Sequence, residues 1–166
     1  DRVSINVELP TVAGLTRLAP DKNAGRIEGA MDDFKHAIIE SQDARRRFKK
    51  APRFAPAGQS TQMIVGADGA SDAAIVSRAS SLYGAFNLRR VYYSAFSPIP
   101  DASAVLPLKR PPLIREHRLY QSDWLMRFYG YAPGEVVAAA GDDGMLPLDI
   151  DPKLAWALKF RDRFPV

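Results

Sequence analysis

The sequence predicts an α/β fold built from parallel strands and helices, and three observations support that prediction. Short β-branched and aromatic runs alternate with longer stretches of helical spacing, which is typical of parallel strands joined by right-handed crossovers. One face of the first predicted strand is polar, whereas strands of an open doubly wound sheet are apolar on both faces. Only three strands are predicted, which is too few to close a barrel. We therefore expect part of a (β/α) barrel whose interior holds a ligand, and a small three-layer domain with a water-facing edge strand is the alternative.

The first predicted strand, residues 3–9, alternates strictly between apolar and polar side chains. Pro10 ends the run, because proline has no backbone N–H to donate to a strand ladder. The apolar face holds Val3, Ile5, Val7 and Leu9. The polar face holds Ser4, Asn6 and Glu8.

The remaining elements complete a single predicted domain over residues 1–166. Ser71 or Asp72 is the expected N-cap of the helix that follows the second strand. A loop with five prolines, residues 98–112, leads into a long amphipathic helix, and Pro152 stands in the first turn of the last helix. We expect strands near 61–67 and 89–97, and helices near 24–51, 72–86, 113–131 and 152–163.

The composition excludes several kinds of chemistry within this chain. It contains no cysteine, so it has no disulfide, no thiol nucleophile and no ligands for a Cys-bound zinc or iron–sulfur cluster. Its two histidines lie far apart in sequence, and no metal site is predicted. The net charge of +4 allows anionic partners without requiring them. No apolar run approaches a membrane span and no signal peptide is visible, so we expect a cytoplasmic protein without membrane contact. A chain that begins on Asp1, already inside a strand pattern, is expected to be a fragment or a processed product.

Asn6, Glu8 and Gly66 are the first candidate site residues. Asn6 and Glu8 stand two apart on one strand face, so their side chains point the same way. An amide and a carboxylate so placed can bind a ribose diol, and a solvated strand face is the alternative. Gly66 follows the second strand and precedes a helix, where glycine lets a ligand approach the backbone. Turn geometry alone is the alternative reason for that glycine.

Tyr92 and Ser94 share one face of the third predicted strand. Aromatic residues at a barrel mouth can stack on a nucleobase, and core aromatics with satisfied hydroxyl groups are the alternative. On the long helix, His117 and Gln121 fall within an aromatic stripe. We therefore expect both in the interior, either as satisfied core residues or facing a site.

Six basic residues fall within nine positions near the end of the first long helix. They are Arg45, Arg46, Arg47, Lys49, Lys50 and Arg53. Basic side chains at a helix C-terminus interact favourably with the helix dipole, which is a purely structural role. Contact with a nucleic-acid backbone is the functional alternative.

Six segments of the sequence are distinctive when taken together. They are RVSINVELP (2–10), LAPDK (18–22), AGQSTQMIVG (57–66), RVYYSAFSP (90–98), REHRLYQ (115–121) and DPKLAWAL (151–158). Together they resemble the DNA modification/repair branch of the radical S-adenosylmethionine superfamily, over nearly the whole chain. The resemblance implies the second half of a partial (β/α)6 barrel, with its fourth, fifth and sixth strands. In that superfamily a [4Fe–4S] cluster, held by three cysteines of a loop after the first strand, reduces S-adenosylmethionine to a 5′-deoxyadenosyl radical that abstracts hydrogen from substrate.

The resemblance also implies roles for particular residues. It assigns Asn6 and Glu8 to the ribose and methionine moieties of the cofactor, and Ile64 and Gly66 to a motif that packs on adenine. Gln62 and Gly69 stand where that motif usually has glycine and glutamate, which is a departure from the family. Tyr92 and Ser94 are implied to lie near adenine and substrate. His117 and Gln121 are implied either to contact substrate or to close the barrel, and Arg115 is a further candidate for substrate contact.

Three functions follow as hypotheses. The first is the C-terminal portion of a radical S-adenosylmethionine enzyme acting on nucleic acid or a nucleotide. That portion is expected to be inactive without the N-terminal half of the barrel, which holds the cluster. The second is a non-catalytic, basic module that binds nucleic acid. The third is a structural half-barrel that is stable only with its missing strands.

Overall fold

The computed structural model describes residues 1–100 and 104–163, and it confirms a mixed α/β fold with one three-stranded parallel sheet. The strand order is β1-β2-β3, so each strand pairs with the next one in sequence. The elements are β1 (Val3–Ser4), α1 (Val12–Leu18), α2 (Ala24–Arg47), β2 (Gln59–Val65), α3 (Asp72–Phe86), β3 (Arg90–Ala95), α4 (Leu113–Tyr129), α5 (Pro133–Ala138) and α6 (Pro152–Lys159), followed by a 3₁₀ turn (Arg161–Arg163). Membership of a barrel stays a prediction.

The two faces of the sheet differ in burial. Helices cover one face, and its residues on β2 and β3 are buried: Thr61, Met63, Val65, Val91, Tyr93 and Ala95. The opposite face, here named the open face, holds a buried Ser60 where the strands begin. Its other side chains are half-buried or exposed: Ser4, Asn6, Gln62, Ile64, Arg90, Tyr92 and Ser94. Strand register places Gln62 beside Tyr92 and Ile64 beside Ser94. All-parallel sheets are normally covered on both faces, so the open face is the unusual feature of this fold.

The core lies between the covered face of the sheet and helices α2, α3 and α4. Its fully buried side chains include Met31, Met63, Ile75, Leu82 and Leu119. The N-cap of α3 is Ser71, whose hydroxyl accepts a hydrogen bond from the backbone N–H of Ala74 at 3.2 Å. Ser71 therefore begins the helix, and Asp72 is free for a different role.

The outer edge of β3 is closed by side chains. The Tyr83 hydroxyl accepts a hydrogen bond from the backbone N–H of Val91 at 2.9 Å. The Tyr120 hydroxyl accepts from the backbone N–H of Tyr93 at 3.0 Å. The Glu116 carboxylate accepts from the backbone N–H of Ala95 at 2.8 Å. Within residues 1–100 and 104–163, no strand pairs with the outer edge of β1. One sheet edge is therefore chemically closed, and the other is available to a further strand.

A buried acidic side chain organises the interface between β3 and α4. Asp123 accepts from the Tyr83 hydroxyl at 2.5 Å, from the Tyr93 hydroxyl at 3.5 Å and from the Arg127 guanidinium at 2.7 Å. Burial is the main cause that raises the pKa of Tyr83 and Tyr93, and the negative charge of Asp123 raises both further. The hydroxyl groups therefore stay protonated and donate to the carboxylate.

Helix α4 turns a different face to the core from the one that its apolar pattern predicts. Its buried residues are Arg115, Leu119, Ser122, Asp123 and Leu125. The predicted interior stripe is exposed, including His117, Gln121, Trp124 and Phe128. The expectation that His117 and Gln121 reach the interior is wrong, because the polar residues of the opposite face find charged and hydroxyl partners there.

Other differences concern element boundaries. Sequence patterning misses α1 and α5, although Thr11 accepts from Gly14 N–H as the N-cap of α1, and Pro133 occupies the first turn of α5. Helix α2 ends at Arg47, four residues before the predicted end, and β3 ends at Ala95. In the part of the chain that the structure describes, no helix is both long and apolar enough to cross a membrane.

Candidate functional site

A bulge in the first strand sets the position of Glu8. The predicted strand over residues 3–9 is regular only in β1, which ends at Ser4, and Glu8 makes an isolated bridge to Met63. Val3 pairs with Gln59, so the chain here contains one more residue than β2 between the two pairings. Glu8 takes up the difference with a φ of 65°, a left-handed conformation that non-glycine residues rarely adopt. The backbone N–H of Val7, displaced from the ladder, donates to the Thr61 hydroxyl at 3.0 Å. Strained residues of this kind cluster at functional sites, which makes Glu8 the first candidate.

A cleft of about 680 Å³ opens beside the bulge, between the first strand and the start of α2. Its polar lining includes Asn6, Glu8, Asp21, Lys22, Asn23 and Arg26. The Glu8 carboxylate pairs with the Lys22 ammonium at 2.5 Å, and the two side chains are 19% and 46% exposed. Carboxylate and amide oxygens here can accept from the hydroxyls of a sugar, and the ammonium and guanidinium can bind an anionic group.

Ile64, Tyr92 and Ser94 lie on the same sheet face as Asn6, but they do not line this cleft. Strand β3 is two strands away from β1, which separates Tyr92 and Ser94 from Asn6 by about 10 Å. Ile64 lies on the neighbouring strand β2, and its backbone N–H donates to the Glu8 carbonyl at 2.6 Å. Ile64 is half-buried and packs against the small apolar cluster of Leu9, Leu15 and Ala67. The sheet therefore brings these predicted residues to one face without gathering them into a single pocket.

The ring and hydroxyl of Tyr92 are already engaged. Its hydroxyl accepts a hydrogen bond from the Arg2 guanidinium. The guanidinium carbons of Arg2 and Arg90 lie 5.0 and 4.9 Å from the centre of the ring. These cation–π contacts leave the arginines able to bind an anion above the open face.

Gly66 is close to another part of this chain rather than to open space. Its φ is +81°, and a side chain there would meet the Pro111 ring, with Cβ only 2.8 Å from Cγ. The glycine therefore admits the proline-rich loop to the end of β2. In the structure the space beside Gly66 is filled by Pro111, and contact of Gly66 with a ligand stays a prediction.

The three residues implied to contact substrate do not reach the cleft. Arg115 is buried and donates to the Asp72 carboxylate at 2.7 Å and to the Ala70 carbonyl at 2.9 Å, so its role in the structure is to join elements. His117 and Gln121 lie on the outward face of α4, where Gln121 accepts from the Arg118 guanidinium at 2.8 Å. The structure therefore provides no shared site for these residues with Asn6 and Glu8.

Sequence reasoning missed two groups of polar residues. The first group is Lys22 and Arg26, which line the cleft. In the sequence, Lys22 is singled out only as a member of the segment LAPDK (18–22), which contributes to the family resemblance. The second group follows one stripe of α4 at spacings of four, three and four residues: Glu116, Tyr120, Asp123 and Arg127. Helical spacing places such residues on one side of the helix, so this second signal was available.

The fold and the cleft together define the class of this protein. It is an α/β protein with a parallel sheet, helices on one face of that sheet and a polar cleft beside the open face. Comparison of the chain with protein-family models, with curated proteins and with solved structures found no match. Among the described residues, no group of three or more His, Cys, Asp or Glu side chains is arranged to hold a metal ion.

Proposed function

We propose that this chain is the C-terminal portion of a radical S-adenosylmethionine enzyme acting on nucleic acid, and that the cleft binds the ribose and methionine moieties of the cofactor. The observation that supports this proposal best is the position of Asn6 and Glu8. Both line a polar cleft of about 680 Å³ at the free edge of an uncovered parallel sheet. When bound and reduced by one electron from the cluster of the other half, the cofactor would supply a carbon radical that removes a hydrogen atom from substrate.

The unequal sheet edges support the barrel part of the proposal. A barrel needs further strands, and these can be added only where backbone groups are free. The β3 edge is closed by Tyr83, Tyr120 and Glu116, whereas the described residues supply no strand beside β1. The N-terminal half of the barrel would therefore join at β1, next to the cleft.

The chemistry of the donor groups fits S-adenosylmethionine but not the cluster. The Glu8 carboxylate and the Asn6 amide suit a ribose diol, and the exposed Lys22 and Arg26 suit the carboxylate of a methionine moiety. The cluster needs thiolate ligands, and the chain has no cysteine. The residues of this chain would bind and orient the cofactor, and the cluster would belong to the other half of the protein.

Replacing Glu8 tests the assignment of the ribose. In the longer protein that the proposal requires, Glu8→Gln should weaken binding of S-adenosylhomocysteine at least tenfold, because a hydrogen bond to a charged group contributes about 1.5–3 kcal/mol. Isothermal titration calorimetry measures the affinity. Glu40→Gln is the matched control, since Glu40 is exposed near the far end of α2. Equal affinity of the Glu8 variant and the control would reject the assignment.

Anaerobic reconstitution with iron and sulfide tests the division between the two halves. This chain alone should show no cluster absorption in the visible spectrum, because it has no thiolate ligand. The longer protein should show it. A stoichiometric cluster on the 166-residue chain would contradict the proposal.

A non-catalytic module that binds nucleic acid is the second candidate function. The exposure of Arg46, Arg47, Lys49 and Lys50 favours it. It leaves the cleft and the strained Glu8 without a role, so it ranks below the first.

A further inference from the structure

Helix α2 extends well past the sheet. The carbonyl of Met31 accepts from the side chain of Gln59, which places Met31 level with the first residue of β2. Lys35 is level with the end of α3, because its ammonium donates to the Ala85 carbonyl. At about 1.5 Å per residue, the helix from Met31 to Arg45 continues for about 21 Å. The last turns of α2 therefore project from the end of the sheet where the strands begin.

The projecting part is held straight by the segment that returns from it. The Ser41 hydroxyl accepts from Phe54 N–H at 2.9 Å and donates to the Pro52 carbonyl at 3.2 Å. The Arg45 guanidinium donates to the Ala51 carbonyl at 2.9 Å. Residues 41–54, here named the basic arm, thus form a helix end and an irregular return segment joined to it by several hydrogen bonds. A preorganised surface of this kind loses little conformational entropy on binding.

The charge of the basic arm is concentrated and largely unneutralised. Residues 45–53 contain six basic residues and no acidic residue. Arg46 pairs with Asp43 at 3.0 Å, in a highly exposed pair that contributes little. Within the part of the chain that the structure describes, Arg47, Lys49, Lys50 and Arg53 make no ion pair or side-chain hydrogen bond, and all four are exposed. Stabilisation of the helix end does not require this many cations.

We propose that the basic arm docks on the phosphodiester backbone of a nucleic acid, independently of its base sequence. A duplex carries about one negative charge per 1.7 Å of its axis, which suits a dense cluster of free cations. A helix of about 10–12 Å diameter also fits a major groove about 12 Å wide. A lipid surface fits less well, because the arm exposes just two large apolar side chains among its described residues, Phe48 and Phe54, against six basic residues.

The arm also has a defined distance from the cleft. Arg26 lines the cleft and Arg47 lies in the arm, and the helix between them spans about 32 Å at about 1.5 Å per residue. That span is close to one turn of a DNA duplex, about 34–36 Å. The arm would therefore hold the nucleic-acid backbone about one duplex turn away from the cleft. This spacing matters for catalysis only if the cleft is the active site, so that part rests on the proposed function. The docking of nucleic acid on the arm does not depend on the proposed function.

Charge reversal within the arm tests the proposal. The triple variant Arg47→Glu, Lys49→Glu and Lys50→Glu is compared with a control triple, Arg17→Glu, Lys159→Glu and Arg161→Glu. The control replaces exposed residues elsewhere and changes the net charge equally. Fluorescence anisotropy measures binding of several unrelated duplexes of about 30 base pairs at about 50–200 mM salt. Circular dichroism and melting curves verify that both variants fold.

We expect the unaltered chain to bind all the duplexes alike, with affinity that falls steeply as salt rises. The arm variant should lose at least tenfold in affinity, and the slope of log affinity against log salt should fall by about three. The control should stay within about twofold of the unaltered chain. Equal losses in both triples, or no salt-dependent binding, would overturn the proposal. So would arm-dependent binding to phosphatidylserine vesicles without binding to duplexes. In the longer protein, S-adenosylhomocysteine affinity should be unchanged in the arm variant, which separates this test from that of the cleft.

Discussion

Asp72→Ala is expected to lower the free energy of unfolding by about 3–5 kcal/mol, because it leaves a buried guanidinium without its counter-ion. The Asp72 and Arg115 side chains are 0% and 10% exposed and meet at 2.7 Å. The second Asp72 oxygen accepts from the backbone N–H of Leu146 at 3.0 Å. One carboxylate thus joins the start of α3, the first turn of α4 and the loop before α6. Urea unfolding followed by circular dichroism measures the change.

Two further variants distinguish this ion pair from an ordinary surface charge. Asp33→Ala removes an exposed acid and should cost no more than about 0.5 kcal/mol. Arg115→Met should cost as much as Asp72→Ala, since it strands the carboxylate instead. The double variant should cost less than the sum of the two, because neither charge is then left alone. Additive costs would show that the two residues act separately.

Alkaline pH should destabilise the protein through Tyr83 and Tyr93. Burial, helped by Asp123, raises the pKa of both hydroxyls above the ordinary value of 10.0. Above about pH 10 the unfolded chain loses these protons and the folded chain keeps them, so stability falls as pH rises. If both tyrosines were fully shielded from solvent, the free energy of unfolding would fall by about 2.7 kcal/mol between pH 9 and 11. Because Tyr83 is partly exposed, we expect a fall of about 2 kcal/mol. Urea unfolding at each pH measures it.

Removing one of the two hydroxyls should remove its share of the pH dependence. Tyr93→Phe should reduce the loss of stability between pH 9 and 11 by about 1 kcal/mol, because it removes the most deeply buried of the tyrosines whose pKa is raised. Burial also raises the pKa of Tyr83, Tyr120 and Tyr131, so part of the loss should remain. Tyr129→Phe is the control, since Tyr129 is 59% exposed, and it should leave the full loss in place. A profile that is flat up to pH 11, or identical in both variants, would contradict the explanation.

The first strand shows how far alternation of side chains predicts structure. The predicted apolar and polar faces agree with burial, since Val7 and Leu9 are buried and Asn6 is exposed. The pairing of the strand differs, because the ladder has one extra residue before Glu8. Alternation reports which side a residue faces, but it contains no signal for a left-handed φ. The feature that makes Glu8 notable was therefore outside the reach of the pattern.

Helix α4 shows the opposite error. Its apolar residues include Trp124 and Phe128, which are 53% and 58% exposed, while Asp123 and Arg115 are buried. A hydrophobic pattern treats a charge as a solvent-facing residue, yet a buried charge is stable when its partners are supplied by other elements. Those partners, Asp72 and Tyr83, lie far away in sequence, so the sequence pattern of α4 alone could not reveal its inner face.

The candidate site also contains features that the sequence could predict and features that it could not. The adjacency of Asn6 and Glu8 follows from one strand and could be predicted. The Lys22 ion pair and the occupation of Gly66 by Pro111 depend on loops returning to the sheet, which local patterns do not specify. The basic cluster was visible in the sequence, but its projection past the sheet depends on the register between α2 and β2.

The closed edge of β3 has a consequence for self-association. Sheets with two free edges can add copies at both ends and grow into filaments, which is the usual hazard of exposed strands. Here Tyr83, Tyr120 and Glu116 occupy the N–H groups at one end, so among the described residues β1 is the sheet edge through which copies of this chain can pair when no other half of the protein covers it. A two-fold contact of that kind uses the same edge of each copy and leaves none over. Edge-to-edge pairing of these sheets therefore stops at two copies and cannot propagate.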